Sequence, residues 1–245
     1  MDYWQRLSAL TADINYPNLH HQLTAMAAMR TRLRQQQLPQ QPLPRLGLTP
    51  QAYAELLLAG QPDAKLRALD AMLRNFRQYV AYNYGMWAFV NQQLFATWQT
   101  LFGSLRYLEV AAGNGYVSAG LREAGSQVIT TDPLTWTSEN VTGRAPLVPV
   151  QTLTANAALW TYGHDVDAVV MAWSPDRDLN DVHFLHLLRQ YFPQCLFFVI
   201  GERAGATNSR LFWAEAQLVA DRRLLPLNRA LPRFDTINER IYLVH

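Results

Sequence analysis

Charge, lysine and cysteine are all scarce in this 245-residue chain. Charged residues make up 16% and apolar residues 49%, which excludes a disordered chain and leaves material for a sizeable core. The single cysteine, Cys195, excludes an intramolecular disulfide and a thiolate metal cluster. It stands in the apolar run Cys195 to Ile200 with no cationic neighbour, so it reads as core filler and not as a nucleophile. No apolar run approaches the roughly 18 residues of a membrane span. The start Met1-Asp2-Tyr3-Trp4-Gln5 lacks the basic and then apolar pattern of an export signal, so the expectation is a soluble, cytoplasmic protein with no membrane partner.

A net charge of +2 is too small for the strong basic field of a general nucleic-acid binder. Its distribution is uneven: residues 1–100 hold nine basic groups against five acids, and residues 101–245 hold 12 arginines against 14 acids. Arginine outnumbers lysine 20 to 1, which reads as codon bias more readily than as a need for guanidinium groups.

The length suits one large domain or two smaller ones, and the chain changes character near residue 105. Residues 1–103 read as a helical cap region. Leu19, Leu23, Met26 and Leu33 keep one apolar face over Asn18 to Gln36, and Thr49-Pro50 caps a helix that closes at Gly60. Asp63 opens the strongest helix, with Leu66, Leu69, Leu73, Phe76 and Val80 on one stripe. Gln35 to Arg45, with three prolines and five glutamines, predicts an exposed loop that is extended in places.

Residues 104–245 read as a Rossmann-like α/β domain. Arg106 to Ala111, Gln127 to Thr131, Leu147 to Val150, Asp167 to Trp173 and Leu196 to Ile200 are short apolar runs, as expected of strands buried on both faces. Their spacing leaves room for one helix each, which predicts a mostly parallel sheet with right-handed crossovers. Pro149 sends the third run to an edge. Arg223 to Leu227 and Arg240 to Val244 are too close in sequence for a crossover and predict an antiparallel hairpin at the C-terminus.

The most informative stretch is Glu109-Val110-Ala111-Ala112-Gly113-Asn114-Gly115, between a strand and the helical segment Val117 to Ala124. Gly113 and Gly115 let backbone approach a ligand, and the following helix offers unpaired N–H groups. Asp132 ends the second strand, where a carboxylate can accept both hydroxyls of a ribose. Glu109 ends the first strand, where it suits an amino group and repels a pyrophosphate. Ser118 stands where a dinucleotide site prefers glycine. Together these residues point to a cationic nucleoside derivative with an amino-acid tail; the competing reading makes Glu109 and Asp132 ordinary helix caps.

Glu109-x-Ala111-x-Gly113-x-Gly115, Asp132 after the second strand, the aromatic-proline stretch after the fourth and the closing hairpin resemble a class I S-adenosylmethionine-dependent methyltransferase over roughly residues 104–245. Ala111 departs from that pattern, in which glycine is usual. The segments Tyr84 to Ala88, Met171 to Pro175 and Ile200 to Glu202 resemble a set of little-characterised methyltransferase-like proteins. The resemblance implies that S-adenosyl-L-methionine lies over Glu109, Ala111, Gly113, Asn114 and Gly115. It implies that the ribose meets Asp132, that the adenine lies near Pro133, Gln151, Thr152 and Leu153, and that Ala172 borders the cofactor. Gln151 and Thr152 stand where many relatives carry an acid for the adenine amino group. Tyr82, Tyr84, Met86 and Trp87 lie just upstream, and of these Trp87 is expected to touch the cofactor while the others pack the helical layer on the sheet.

By the same resemblance, the acceptor site lies at Ala172 to Arg177. Enzymes that methylate amino nitrogen often carry there a polar residue, two prolines and an aromatic. This chain keeps Ser174 and Pro175 but has Asp176 and Arg177 in place of the rest, which disfavours a nucleobase as acceptor, although Trp173 offers a ring. Glu202, after the fifth strand, is expected to face the same cleft as a general base or acceptor ligand, so Ser174, Glu202 and Trp173 form the candidate catalytic set. His183 and His186 have no partner set for a metal and read as ordinary helix residues, and no metal is expected. Asn140-Val141-Thr142 matches a glycosylation acceptor, idle without export.

The leading expectation is therefore a methyltransferase acting on an unidentified acceptor, more readily a small molecule than a nucleobase. A non-catalytic S-adenosylmethionine-binding or regulatory module of the same fold is the alternative. A nicotinamide-dependent oxidoreductase is opposed by Glu109 and Ser118.

Overall fold

The computed structural model describes residues 2–135 and 145–245. The Asn140-Val141-Thr142 match lies outside these described residues. Six strands form one sheet: β1 (Arg106–Val110), β2 (Gln127–Asp132), β3 (Gln151–Thr152), β4 (Ala168–Ala172), β5 (Leu196–Gly201) and β6 (Arg240–Val244), in the order β3-β2-β1-β4-β5-β6. The first five are parallel and β6 runs antiparallel to β5. The architecture is α/β and compatible with a Rossmann-like fold.

The apolar runs behave as strands because both of their faces are covered. Tyr107, Val170, Phe198 and Leu243 point into one core layer, which is shared with the helices of the N-terminal region. Leu108, Val169, Phe197 and Val244 point into the opposite layer. On the first side stand α1 (Tyr3–Thr11), α2 (Pro17–Arg34), α3 (Pro50–Leu58), α4 (Asp63–Arg74), α5 (Phe76–Tyr84), α6 (Gln92–Phe102), α7 (Tyr116–Glu123) and a short C-terminal helix, α11 (Leu224–Arg229). On the second side stand α8 (Ala155–Tyr162), α9 (Asn180–Tyr191) and α10 (Arg210–Glu215). Cys195 is buried in that second layer, and burial pushes its thiol pKa up. No described helix is long and apolar enough to cross a membrane.

Four sequence expectations need correction. The stripe from Leu66 to Val80 is fully buried, but a turn at Asn75 divides its helix into α4 and α5. Leu147 to Val150 is not a strand. Prolines at 146 and 149 withhold ladder donors there, and pairing starts only at Gln151, although β3 does take the edge. The predicted hairpin does not form either, because its first half is helix α11. Leu224-Leu225-Pro226-Leu227 does not alternate: Leu227 is buried and Leu225 is exposed, while a proline is tolerated in the first turn of a helix. The antiparallel edge comes instead from β6 lying directly beside β5. The Gln35 to Arg45 segment is irregular, as expected, yet Leu38 and Leu43 sink into the core, and Gln92 N–H donates to the Pro39 carbonyl.

Candidate functional site

Strand order reverses its direction of growth between β1 and β4, so the loops leaving their carboxyl ends diverge and open a crevice. A cavity of about 820 Å³ lies there. Its walls come from the β1–α7 loop, the end of β2, the start of α8, the loop after β4 and the segment that follows α5.

The glycine loop is braced from both sides. The Asp132 carboxylate accepts from Gly113 N–H at 2.8 Å and from Leu134 N–H at 2.7 Å, locking the end of β2 to the loop after β1. Asn114 Nδ2 and the Tyr116 hydroxyl both donate to the carbonyl of Tyr84, at 3.0 and 2.9 Å. The last residue of α5 is thus tied to the loop. Gly113 and Gly115 take φ of +55° and +71°, in the left-handed region. Gly115 faces away from the cavity: a Cβ there would meet Val148 Cγ2 at 2.6 Å. Its absent side chain shapes the turn rather than clearing room for a ligand.

Ala111, on the cavity wall, has φ +51°. Left-handed backbone costs a residue with a Cβ about 1–2 kcal/mol, which gives the usual glycine of the resembling pattern a physical reason. Ala111→Gly is expected to raise stability by about 1 kcal/mol, or roughly 2–4 °C in melting temperature for a chain of this size. A thermal melt that shows no gain would contradict this account of the loop.

Glu109 is 1% exposed and lines the cavity. Ser118 donates to its Oε2 twice, from its N–H at 2.7 Å and from its hydroxyl. The serine is therefore the carboxylate's partner and not merely a replaced glycine. Burial outweighs these donors, and the nearby Asp132 adds to its effect, so the Glu109 pKa is pushed up to about 7.

Beyond β4, Trp173 adopts φ +55°, a conformation that a large side chain adopts only when its surroundings impose it. Its Nε1 donates to Glu239 Oε1 at 2.5 Å, and the Arg77 guanidinium lies 4.9 Å from its ring centroid. Arg77 also bonds Asp235 at 2.6 Å, Glu239 at 3.3 Å and the Trp87 carbonyl at 3.0 Å. Burial raises the Glu239 pKa, and the Arg77 charge opposes that rise. This buried cluster backs both Trp87 and Trp173, whose rings stand 6.0 Å apart.

Among the residues singled out from sequence, Glu109, Ala111, Gly113, Asp132 and Pro133 border the cavity. So do Trp87, Ala172, Trp173 and Ser174. Five others do not. Asn114 is turned to Tyr84, and Gly115 to Val148. Thr152 sits exposed in the edge strand and Leu153 packs toward the second core layer, while Thr154, Ala155 and Asn156 take the wall at that level. Glu202 accepts from Ala206 N–H at 3.0 Å and from Asn238 N–H at 2.7 Å, so its carboxylate ties its own loop to the segment before β6 instead of facing the cleft. His186 bonds Glu215 on the protein surface.

Sequence reasoning passed over Thr154, Asn156, Asp178, Asn180 and Asp181, and assigned Tyr82 to packing; all six line the cavity. The available signal was positional: four of the five overlooked residues lie at the N-cap or first turn of the helices that follow β3 and β4, and Asp178 lies just ahead of α9. The cavity lining holds five carboxylates, from Glu109, Asp132, Asp176, Asp178 and Asp181, and no lysine, arginine or histidine among the described residues. Compared with known proteins, the chain matches no protein-family model and has no significant match among the curated proteins.

Proposed function

We propose that the chain is an S-adenosylmethionine-dependent methyltransferase of the Rossmann-like, class I type. The observation that carries this reading is the convergence of Glu109 and Asp132, from the ends of adjacent strands, on one large cavity beside the Gly113 backbone. The residues present fit the cofactor. A buried carboxylate at Glu109 suits an α-ammonium group, Asp132 suits ribose hydroxyls, and a lining without basic groups suits a sulfonium. The same lining opposes a pyrophosphate, and with it a nicotinamide dinucleotide.

When bound, S-adenosylmethionine supplies a methyl group already activated by positive sulfur. The chain's own contribution is then alignment and exclusion of water. Ala172 and Gly113 border the cofactor end of the cavity and Trp173 and Ser174 the acceptor end, and Trp87, paired with Trp173, joins the acceptor end rather than making the cofactor contact expected from sequence. Because the Glu202 side chain is committed to backbone donors of its own loop and of the segment before β6, a non-catalytic binding module of the same fold is the second reading. Labelled cofactor incubated with a cell extract separates the two, since transferred label requires turnover.

Calorimetry with S-adenosylhomocysteine is expected to show one site. Asp132→Ala is expected to weaken it by about 1–3 kcal/mol, through loss of charge-assisted bonds and of the Gly113 brace. Absence of both heat and thermal shift would end this reading.

A further inference from the structure

The acceptor end of the cavity has a composition that selects its second ligand. Tyr82, Trp87 and Trp173 line one side, with centroid separations of 6.0 Å for Tyr82–Trp87 and 6.0 Å for Trp87–Trp173. Tyr82 is 53% exposed and Trp87 38%, so both rings are open to whatever enters the cavity. The same cavity carries acids in three different conditions. Asp181 is spent on Ser209 N–H at 2.6 Å, the Ser209 hydroxyl at 2.9 Å and Val182 N–H at 2.8 Å. Asp178 is spent on Asn180, at 3.0 and 2.8 Å. Asp176 makes no hydrogen bond or ion pair among the described residues.

Ser174 gives an independent indication. It is only 7% exposed and lines the cavity, yet its hydroxyl has no hydrogen-bond partner among the described residues. A hydroxyl that opens from an otherwise buried residue into a cavity is a place for a ligand's polar atom. No arginine or lysine lines the cavity among the described residues, Arg177 beside Asp176 included, and Arg77 lies behind Trp173 with its charge opposed by Asp235 and Glu239, so it offers nothing to an anion.

We infer that the second ligand of this cavity is an organic amine or ammonium, held between the Tyr82, Trp87 and Trp173 rings and the Asp176 carboxylate, with its N–H directed to Ser174. Aromatic faces and a carboxylate attract a positive nitrogen together, whereas a phosphate or carboxylate would enter a lining of one repelling sign. The inference deepens the methyltransferase reading and rests on it in giving the Glu109 end to the cofactor.

The test uses the full chain saturated with S-adenosylhomocysteine and three probes: benzyltrimethylammonium, benzylamine and benzyl phosphate. Tryptophan fluorescence and calorimetry follow binding. Both nitrogen probes are expected to bind, and benzyl phosphate at least about tenfold more weakly. Trp87→Ala and Asp176→Asn are each expected to weaken both nitrogen probes by about five- to tenfold. Ser174→Ala is expected to weaken benzylamine about threefold or more and leave benzyltrimethylammonium unchanged, since only benzylamine has an N–H to donate. Benzyl phosphate binding as well as the ammonium, or an ammonium affinity indifferent to both Trp87→Ala and Asp176→Asn, would overturn the inference while the nucleoside still binds. Should the nucleoside fail to bind, the function reading falls, and the same titrations on the chain alone still decide the amine site.

Discussion

Arg77→Met is expected to lower unfolding free energy by about 3–5 kcal/mol, as removing one member of a buried ionic cluster does. Arg77, Asp235 and Glu239 are each nine-tenths or more buried. The guanidinium serves two carboxylates and a carbonyl while its faces meet Phe89, Phe234 and Trp173 at 4.5 to 4.9 Å. Methionine fills part of the volume and answers none of the charges. Arg77→Lys keeps one charge but loses the fork and the flat stacking surface, so it should fall between the two. The loss should shrink as pH is lowered, because Glu239, already raised in pKa by burial, can then take up a proton and leave one buried anion fewer. Denaturant titrations at pH 7.5 and 5.5 check both statements; a loss under about 1 kcal/mol at pH 7.5 would mean that the cluster contributes little beyond packing.

Glu109→Gln is expected to act in the opposite sense on stability and to cost ligand binding. The Glu109 pKa rises from 4.5 to about 7 on folding. The folded chain therefore holds a proton that the unfolded chain has released, and the stability this contributes is present below pH 4.5 and is lost as pH rises to 7. At pH 8 the buried carboxylate costs about 3 kcal/mol, at 1.36 kcal/mol per unit. Glutamine removes that cost and can still accept from both Ser118 donors. The variant should be more stable than the parent at pH 8, by up to about 3 kcal/mol, and equal to it near pH 4.5. Its affinity for S-adenosylhomocysteine should fall by about tenfold or more for want of a charge to meet the ammonium group. In the parent chain that affinity should rise with pH up to neutrality, as Glu109 ionises. A glutamine variant that binds as tightly as the parent would remove Glu109 from the site.

β1, β2, β4 and β5 were legible because a strand covered on both faces leaves a continuous apolar run, and Glu109 and Asp132 stood out as carboxylates at the ends of such runs, although each also serves the fold, Glu109 by accepting from Ser118 N–H in the first turn of α7 and Asp132 by bracing Gly113. Arg223 to Leu227 was not: an apolar run of that length satisfies a short helix as well as a strand, and only packing against the neighbouring layer decides. Glu202 followed its strand as expected, but the conformation of its own loop, with Ala204 at φ +55°, returned the carboxylate to backbone donors. The Arg77 cluster left no trace in the sequence, since Arg77 and Glu239 lie 162 residues apart and only the fold brings them together.

Helix α5 gives the two ends of the cavity a common mount. Nine residues make a rod of about 13 Å, with Arg77 near its first turn behind the indole pair and Tyr84 at its far end fastened to the glycine loop. Both fastenings are direct hydrogen bonds, to the Trp87 carbonyl from Arg77 and to the Tyr84 carbonyl from Asn114 and Tyr116. A kink introduced midway along α5 is therefore expected to displace the indole pair and the glycine loop together.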